Sequence, residues 1–135
     1  MADMRRVGWV LVLLLWPAFA SAQAPDASGI RAVITRQLEA MNRDDQAGAF
    51  AIASPTIQQM FQDAPTFMTM VERGYPQVHR SRRHQFLKLD SVEGRLVQRV
   101  LIESDAGTVV GRYEMIEIDG SWRINGFSLE KYEGA

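Results

Sequence analysis

Residues 109–129, VVGRYEMIEIDGSWRINGFSL, carry the pattern that decides the fold. Apolar and polar residues alternate on both sides of Asp119-Gly120. That dipeptide suits a two-residue turn with positive φ at both central positions, so the stretch reads as a β-hairpin. The register follows from the turn. Ile118 faces Ser121, Met115 faces Ile124, and Tyr113 faces Gly126. Alternation places Tyr113, Met115, Trp122 and Ile124 on one side of the sheet, with Trp122 buried there. Arg112, Glu114, Arg123 and Asn125 share the other side, a charged face suited to water. Phe127 and Leu129 fall on that polar face in a regular strand. A bulge marked by Gly126 would turn them inward.

Upstream of the hairpin the period of two continues. From His84, Leu87 and Leu89 alternate with Phe86, Lys88 and Asp90. Glu93-Gly94 is a turn. Residues 96–103 form the next strand, with Leu96, Gln98, Val100 and Ile102 on one side. A four-residue turn at 104–107 sets Ile102 opposite Val109 and Gln98 opposite Tyr113.

Before the strands the period is helical. Ile30, Val33, Ile34, Leu38 and Met41 recur at helical spacing, so residues 30–43 form an amphipathic helix, with Asp26 or Ser28 as its cap. Asp44 or Asp45 caps a second helix, 46–54, whose Ala, Phe50 and Ile52 content marks it as buried. Ser54-Pro55 suits a cap and first turn, which gives a short helix over 55–61. Asp63 and Pro65 start a fourth over 64–73, stopped by Gly74 and Pro76. Residues 75–83, YPQVHRSRR, have no clean period and read as a loop. Met60, Met68 and Met70 fill core space between helices and sheet. Helices followed by four antiparallel strands make an α+β domain, its N-terminal helices on one face of a curved four-stranded meander sheet.

The start of the chain has a different purpose. Arg5-Arg6 precedes the apolar run 7–16, VGWVLVLLLW, and Ala20-Ser21-Ala22 follows it. This is the pattern of a secretory signal peptide over 1–22, cleaved before Gln23. The competing reading, an uncleaved anchor helix, is disfavoured by the shortness of the run. No cysteine follows the run, which excludes a lipoprotein. Residues 23–29 form a flexible polar lead, and 30–135 a single domain. The protein is expected outside the cytoplasm, in the periplasm, with no permanent membrane anchor after cleavage.

Composition narrows the function further. The net charge is −1 and the chain has no cysteine. An acidic balance argues against nucleic acid. Without cysteine there are no disulfides, thiolate metal sites or cysteine nucleophiles. The chain contains no Gly-rich dinucleotide fingerprint, P-loop or Gly-x-Ser-x-Gly elbow, so no cofactor is expected. Two histidines five residues apart, without clustered carboxylates, do not make a metal site.

AFAIASPTIQQMF at 49–61, FMTMVERGYPQV at 67–78, LVQRV at 96–100 and DGSWRINGFSL at 119–129 resemble, in order, an uncharacterised exported bacterial family called domain of unknown function 4864. The helices-then-strands order ending in Gly-x-Trp-x-Ile resembles the cone-shaped nuclear transport factor 2-like, or cystatin-like, superfamily. The resemblance implies an exported protein of cone-like fold, admits a homodimer through the sheet, and brings no catalytic residues.

The residues themselves supply the candidates. Gln98 sits in an apolar stripe beside Tyr113. The pair either orients a ligand in a cup, with Tyr75 and Trp122 as further lining, or is a buried pair satisfied internally. Tyr75, His79 and His84 flank the sheet entrance. A histidine near Asp90 would suit a general base, whereas an arginine-rich stretch suits a solvated loop. Arg73, Arg80, Arg82 and Arg83 form a basic patch for an anion, or a surface balanced by Glu72, Asp90 and Glu93. Two classes follow. One is a non-catalytic domain binding a small apolar ligand or a protein partner. The other is a small isomerase- or hydratase-like enzyme using the same cup. The first is favoured, because no recognisable acid–base pair is present.

Overall fold

The computed structural model describes residues 27–132. Residues 1–22, expected to be a signal peptide, and residues 23–26 of the lead lie outside the described residues. The first helix, α1 (Ala27–Asn42), begins three residues before the expected start, and its inner face carries Ile30, Val33, Ile34, Gln37, Leu38 and Met41. The second, α2 (Gln46–Ala51), is capped by Asp45, whose side chain accepts from the Gly48 N–H. It ends before residue 54, and the backbone then turns into a short bridge with the sheet edge. Next come α3 (Pro55–Phe61), with Ser54 as N-cap, and α4 (Ala64–Gly74), capped by Asp63.

The expected loop at 75–83 is instead a four-residue helix, α5 (Pro76–His79), followed directly by a strand. Pro76 at the first helical position pre-sets φ for the turn, but four residues are too few to show a period. Consequently His79 is buried rather than solvated. His84 lies within the strand, edge-on to Phe86 at 5.3 Å between ring centroids.

Four strands follow: β1 (Ser81–Val92), β2 (Arg95–Ser104), β3 (Gly107–Ile118) and β4 (Ser121–Lys131). They form one antiparallel meander in the order β1-β2-β3-β4. Asp119 and Gly120 have φ of 51° and 79°, as the two-residue turn requires, and Ile118 pairs with Ser121. Between β2 and β3, Ser104 itself pairs with Gly107, which keeps Ile102 opposite Val109 and Gln98 opposite Tyr113.

Three irregularities separate this sheet from a regular ladder, the first where β1 begins, between Ser81 and Arg83. In β4, Gly126 pairs with Glu114 and Ile124 with Met115, so Asn125 is the extra residue. Tyr113 therefore faces Phe127 rather than Gly126, and Phe127 turns to the core. In β1 the register slips between Phe86 and Leu89. Phe86 and Leu89 then pack on the core together, where simple alternation put Leu87 and Leu89.

The helices cover the face that carries Val100, Ile102, Tyr113, Met115 and Ile124. At β4, the segment between α2 and α3 is stitched to the strand: Ser54 N–H donates to the Ile124 carbonyl at 2.8 Å, and Ile124 N–H donates to the Ile52 carbonyl at 3.0 Å. This covers part of an edge that would otherwise present free backbone groups. The opposite sheet face is charged, with Arg99 bonded to Glu130 at 2.8 Å and Arg112 beside the same carboxylate at 3.6 Å.

Candidate functional site

Between the helices and the sheet lies a cavity of about 370 Å³. Each element contributes for a local reason. On α1, Gln37 and Met41 are one helical turn apart and reach the cavity together. The β4 bulge brings in Phe127, whose ring lies between two tyrosines. Tyr113 is 4.7 Å away between centroids and Tyr75 is 4.9 Å away, both in edge contacts. Gly111 makes room for this ring, since a Cβ there would stand 2.8 Å from Phe127 Cε2. Phe67, Met70 and Val71 line the α4 side, and Ile57, Met60 and Phe61 the α3 side. Met60 is 65% exposed and marks the mouth, in place of the core position its apolarity suggested.

The α3 side is held by one small network. Ser54 Oγ accepts from the Ile57 N–H at 3.3 Å and donates to Asn125 Oδ1 at 2.7 Å. The bulged Asn125 thus ties α3 to β4 while also lining the cavity.

Polar groups in the lining are few. Tyr113 is fully buried and its hydroxyl has no hydrogen-bond partner among the described residues. Burial pushes its phenol above the usual tyrosine range, so it stays neutral at working pH. Gln37 is 3% exposed, and its Nε2 makes one long contact to the Ala49 carbonyl at 3.4 Å. Among the described residues, the lining contains no carboxylate, histidine, lysine or arginine. Its ionisable side chains are two tyrosines, whose hydroxyls can donate hydrogen bonds. Among the described residues, no group of three or more His, Asp or Glu could hold a metal ion.

The structure separates the residues singled out in the sequence. Tyr75 and Tyr113 meet at the cavity through Phe127. Gln98 is Tyr113's cross-strand partner, yet it does not line the cavity. Its Nε2 donates to the carbonyls of Leu87 and Arg99, each at 2.9 Å, where the β1 bulge interrupts the ladder. Its Oε1 is buried without a partner. Trp122 is half-buried and borders a different depression, beside Arg36, Arg43 and Arg123. It sits opposite Glu117, next to the hairpin turn.

The four arginines do not form one patch. Arg80 donates to the Met41 carbonyl and to Asp44, both at 2.7 Å. Arg82 pairs with Asp105 at 2.8 Å and Arg83 with Glu103 at 3.0 Å. Arg73 is exposed in the last turn of α4. The acids that balance Arg80, Arg82 and Arg83 are therefore Asp44, Asp105 and Glu103 in place of Glu72, Asp90 and Glu93. His79 Nε2 lies 3.5 Å from Asp44 and 3.2 Å from Arg80 Nη1, and neither histidine lines the cavity.

Asn125, expected on the water-facing side of the sheet, lines the cavity because of the bulge, and Gln37 is a further polar lining residue that the strand-centred reading missed. Its signal was available: it stands three residues after Ile34 and four before Met41, a polar residue inside an apolar helical stripe.

Over residues 23–135 the sequence matches the model of a family described as Domain of unknown function (DUF4864). No curated protein matches the chain.

Proposed function

We infer, for a chain that belongs to the family described as Domain of unknown function (DUF4864), that the protein binds a small apolar ligand without chemically changing it. The observation that carries this reading is the cavity of about 370 Å³, lined by methionine, aromatic and aliphatic side chains with a few polar groups between them. That volume and lining fall in the range of small-molecule sites. An isomerase or hydratase of the cone-like kind would need an acid and a base touching substrate, and the lining offers only tyrosines. The helices-then-meander order supports a nuclear transport factor 2-like fold. Arg5-Arg6, the apolar run 7–16 and Ala20-Ser21-Ala22 support export to the periplasm, where such a domain would meet its ligand. Mass spectrometry of exported protein should give a chain beginning at or near Gln23; recovery of full-length chain alone in the membrane fraction would refute export.

The binding reading is tested by titration with the fluorescent apolar probe N-phenylnaphthylamine. Wild-type protein should enhance its emission saturably with one-to-one stoichiometry. Met70→Trp and Ile57→Trp, which fill the cavity from two sides, should each abolish the enhancement while circular dichroism stays native. Equal binding by wild type and both filled variants would place the probe elsewhere and refute the reading.

A further inference from the structure

We propose that the ligand of this cavity is a neutral amphiphile: an apolar body carrying one uncharged head that both donates and accepts hydrogen bonds, such as a hydroxyl or a primary amide. The proposal rests on the cavity being the binding site. It goes further by fixing the head-group chemistry.

Three polar side chains in the lining have capacity left over. Gln37 is 3% exposed, and among the described residues its Nε2 makes one long contact, to the Ala49 carbonyl at 3.4 Å, with no bond to its Oε1. The Tyr113 hydroxyl is buried and unpartnered. Asn125 Oδ1 is taken by the Ser54 hydroxyl at 2.7 Å, which leaves the amide N–H groups as donors for a further partner. Buried polar groups are normally paired, and each exception calls for an explanation. Here the exception is the Tyr113 hydroxyl, and the under-used amides of Gln37 and of half-buried Asn125 share its cavity. Together they present an acceptor (Gln37 Oε1), donors (Asn125 Nδ2) and a hydroxyl that can do either. That mixture matches a head group that is itself both donor and acceptor.

It does not match a charged head. Moving an ion into an apolar site without a counter-charge is strongly unfavourable. Among the described residues, no cation lines the cavity to receive a carboxylate or phosphate, and no carboxylate lines it to receive an amine. The closest candidates are committed. Arg80, which reaches the carbonyl of the lining residue Met41, is also bonded to Asp44. Arg123 donates to the Ala51 carbonyl.

The test is calorimetric titration of the protein with octanol, octanamide and octanoate at about pH 8, where the acid is ionised. The three share one chain and differ in the head. Octanol and octanamide should bind at least about tenfold more tightly than octanoate. Gln37→Met and Tyr113→Phe should each weaken octanamide binding by about tenfold, the loss expected for one hydrogen bond to a buried group. Octanoate binding as tightly as the neutral pair would overturn the proposal and leave the cavity reading intact. Failure of all three to bind would overturn both. The ranking of the three ligands on wild-type protein needs no variant, so a poorly folding substitution does not shelter the proposal.

Discussion

Replacing Gln98 with leucine separates a structural glutamine from a ligand-orienting one, and the structure predicts the sign. The Gln98 amide donates two hydrogen bonds of 2.9 Å, to Leu87 O and Arg99 O, at the β1 bulge. The residue is fully buried, and the two carbonyls it satisfies belong to part-buried residues. Leucine of similar volume leaves little void but removes both donors. A buried polar group stripped of its partner costs about 1–3 kcal/mol. The substitution also removes the unpartnered Oε1, whose burial already costs about the same. Two losses against one relief leave a net destabilisation of about 2 kcal/mol, or a fall in Tm of roughly 5–15 °C for a domain of this size. Urea unfolding followed by tryptophan fluorescence reads the difference directly, with the slope unchanged if only stability moves. Probe binding should be unaffected, because Gln98 does not line the cavity. A Gln98→Leu protein that is as stable as wild type or more stable, and that has lost probe binding, would refute the structural assignment.

Other perturbations have equally definite outcomes. Tyr113→Phe deletes a buried hydroxyl without a partner and should stabilise the ligand-free protein by about 1 kcal/mol in the same urea assay. Ser54→Ala breaks both the α3 cap and the bond to Asn125; a loss of about 2 kcal/mol is expected, and a loss of only a few tenths would mean that the network is ornamental. The hydrogen bond from Arg80, assisted by His79, holds the Asp44 carboxyl below its usual value of 3.8, and Thr66 does the same for Asp63. A depressed carboxylate contributes stability that is present above the unfolded value and lost as pH falls through the folded one. Thermal stability should therefore drop below about pH 4, and Asp44→Asn should make that drop shallower.

How much of this was legible in the sequence varies residue by residue. The hairpin at Asp119-Gly120 and the Gln98–Tyr113 pairing were, because turn length alone sets antiparallel register. The β4 bulge was expected at Gly126 and falls one residue earlier, at Asn125, whereas the β1 bulge was not expected. At Asn125 an extra residue moves Phe127 onto the core, and only the meeting with Ser54 across 71 positions explains why the bulge falls there. At 87–88 the apolar Leu87 and Leu89 imitate regular alternation, whereas the fold buries Phe86 and closes the gap with the Gln98 amide. The four-residue α5 is shorter than one period can reveal. The basic run 80–83 looked like one patch because neighbours in sequence were counted together. A helix end and an alternating strand send those arginines to separate carboxylates. The cavity is visible only in three dimensions, since its lining comes from helices and strands up to the length of the domain apart.

The methionine methyl groups offer the most direct test of the central claim, that the cavity between helices and sheet is the ligand site. Met41, Met60 and Met70 line it, while Met68 and Met115 are buried and do not. Octanol titrated into protein labelled at the methionine methyls should shift the Met41, Met60 and Met70 NMR signals along one binding curve and leave Met68 and Met115 nearly fixed. Saturating octanol that moves none of the three, or that moves Met68 and Met115 instead, would contradict the account.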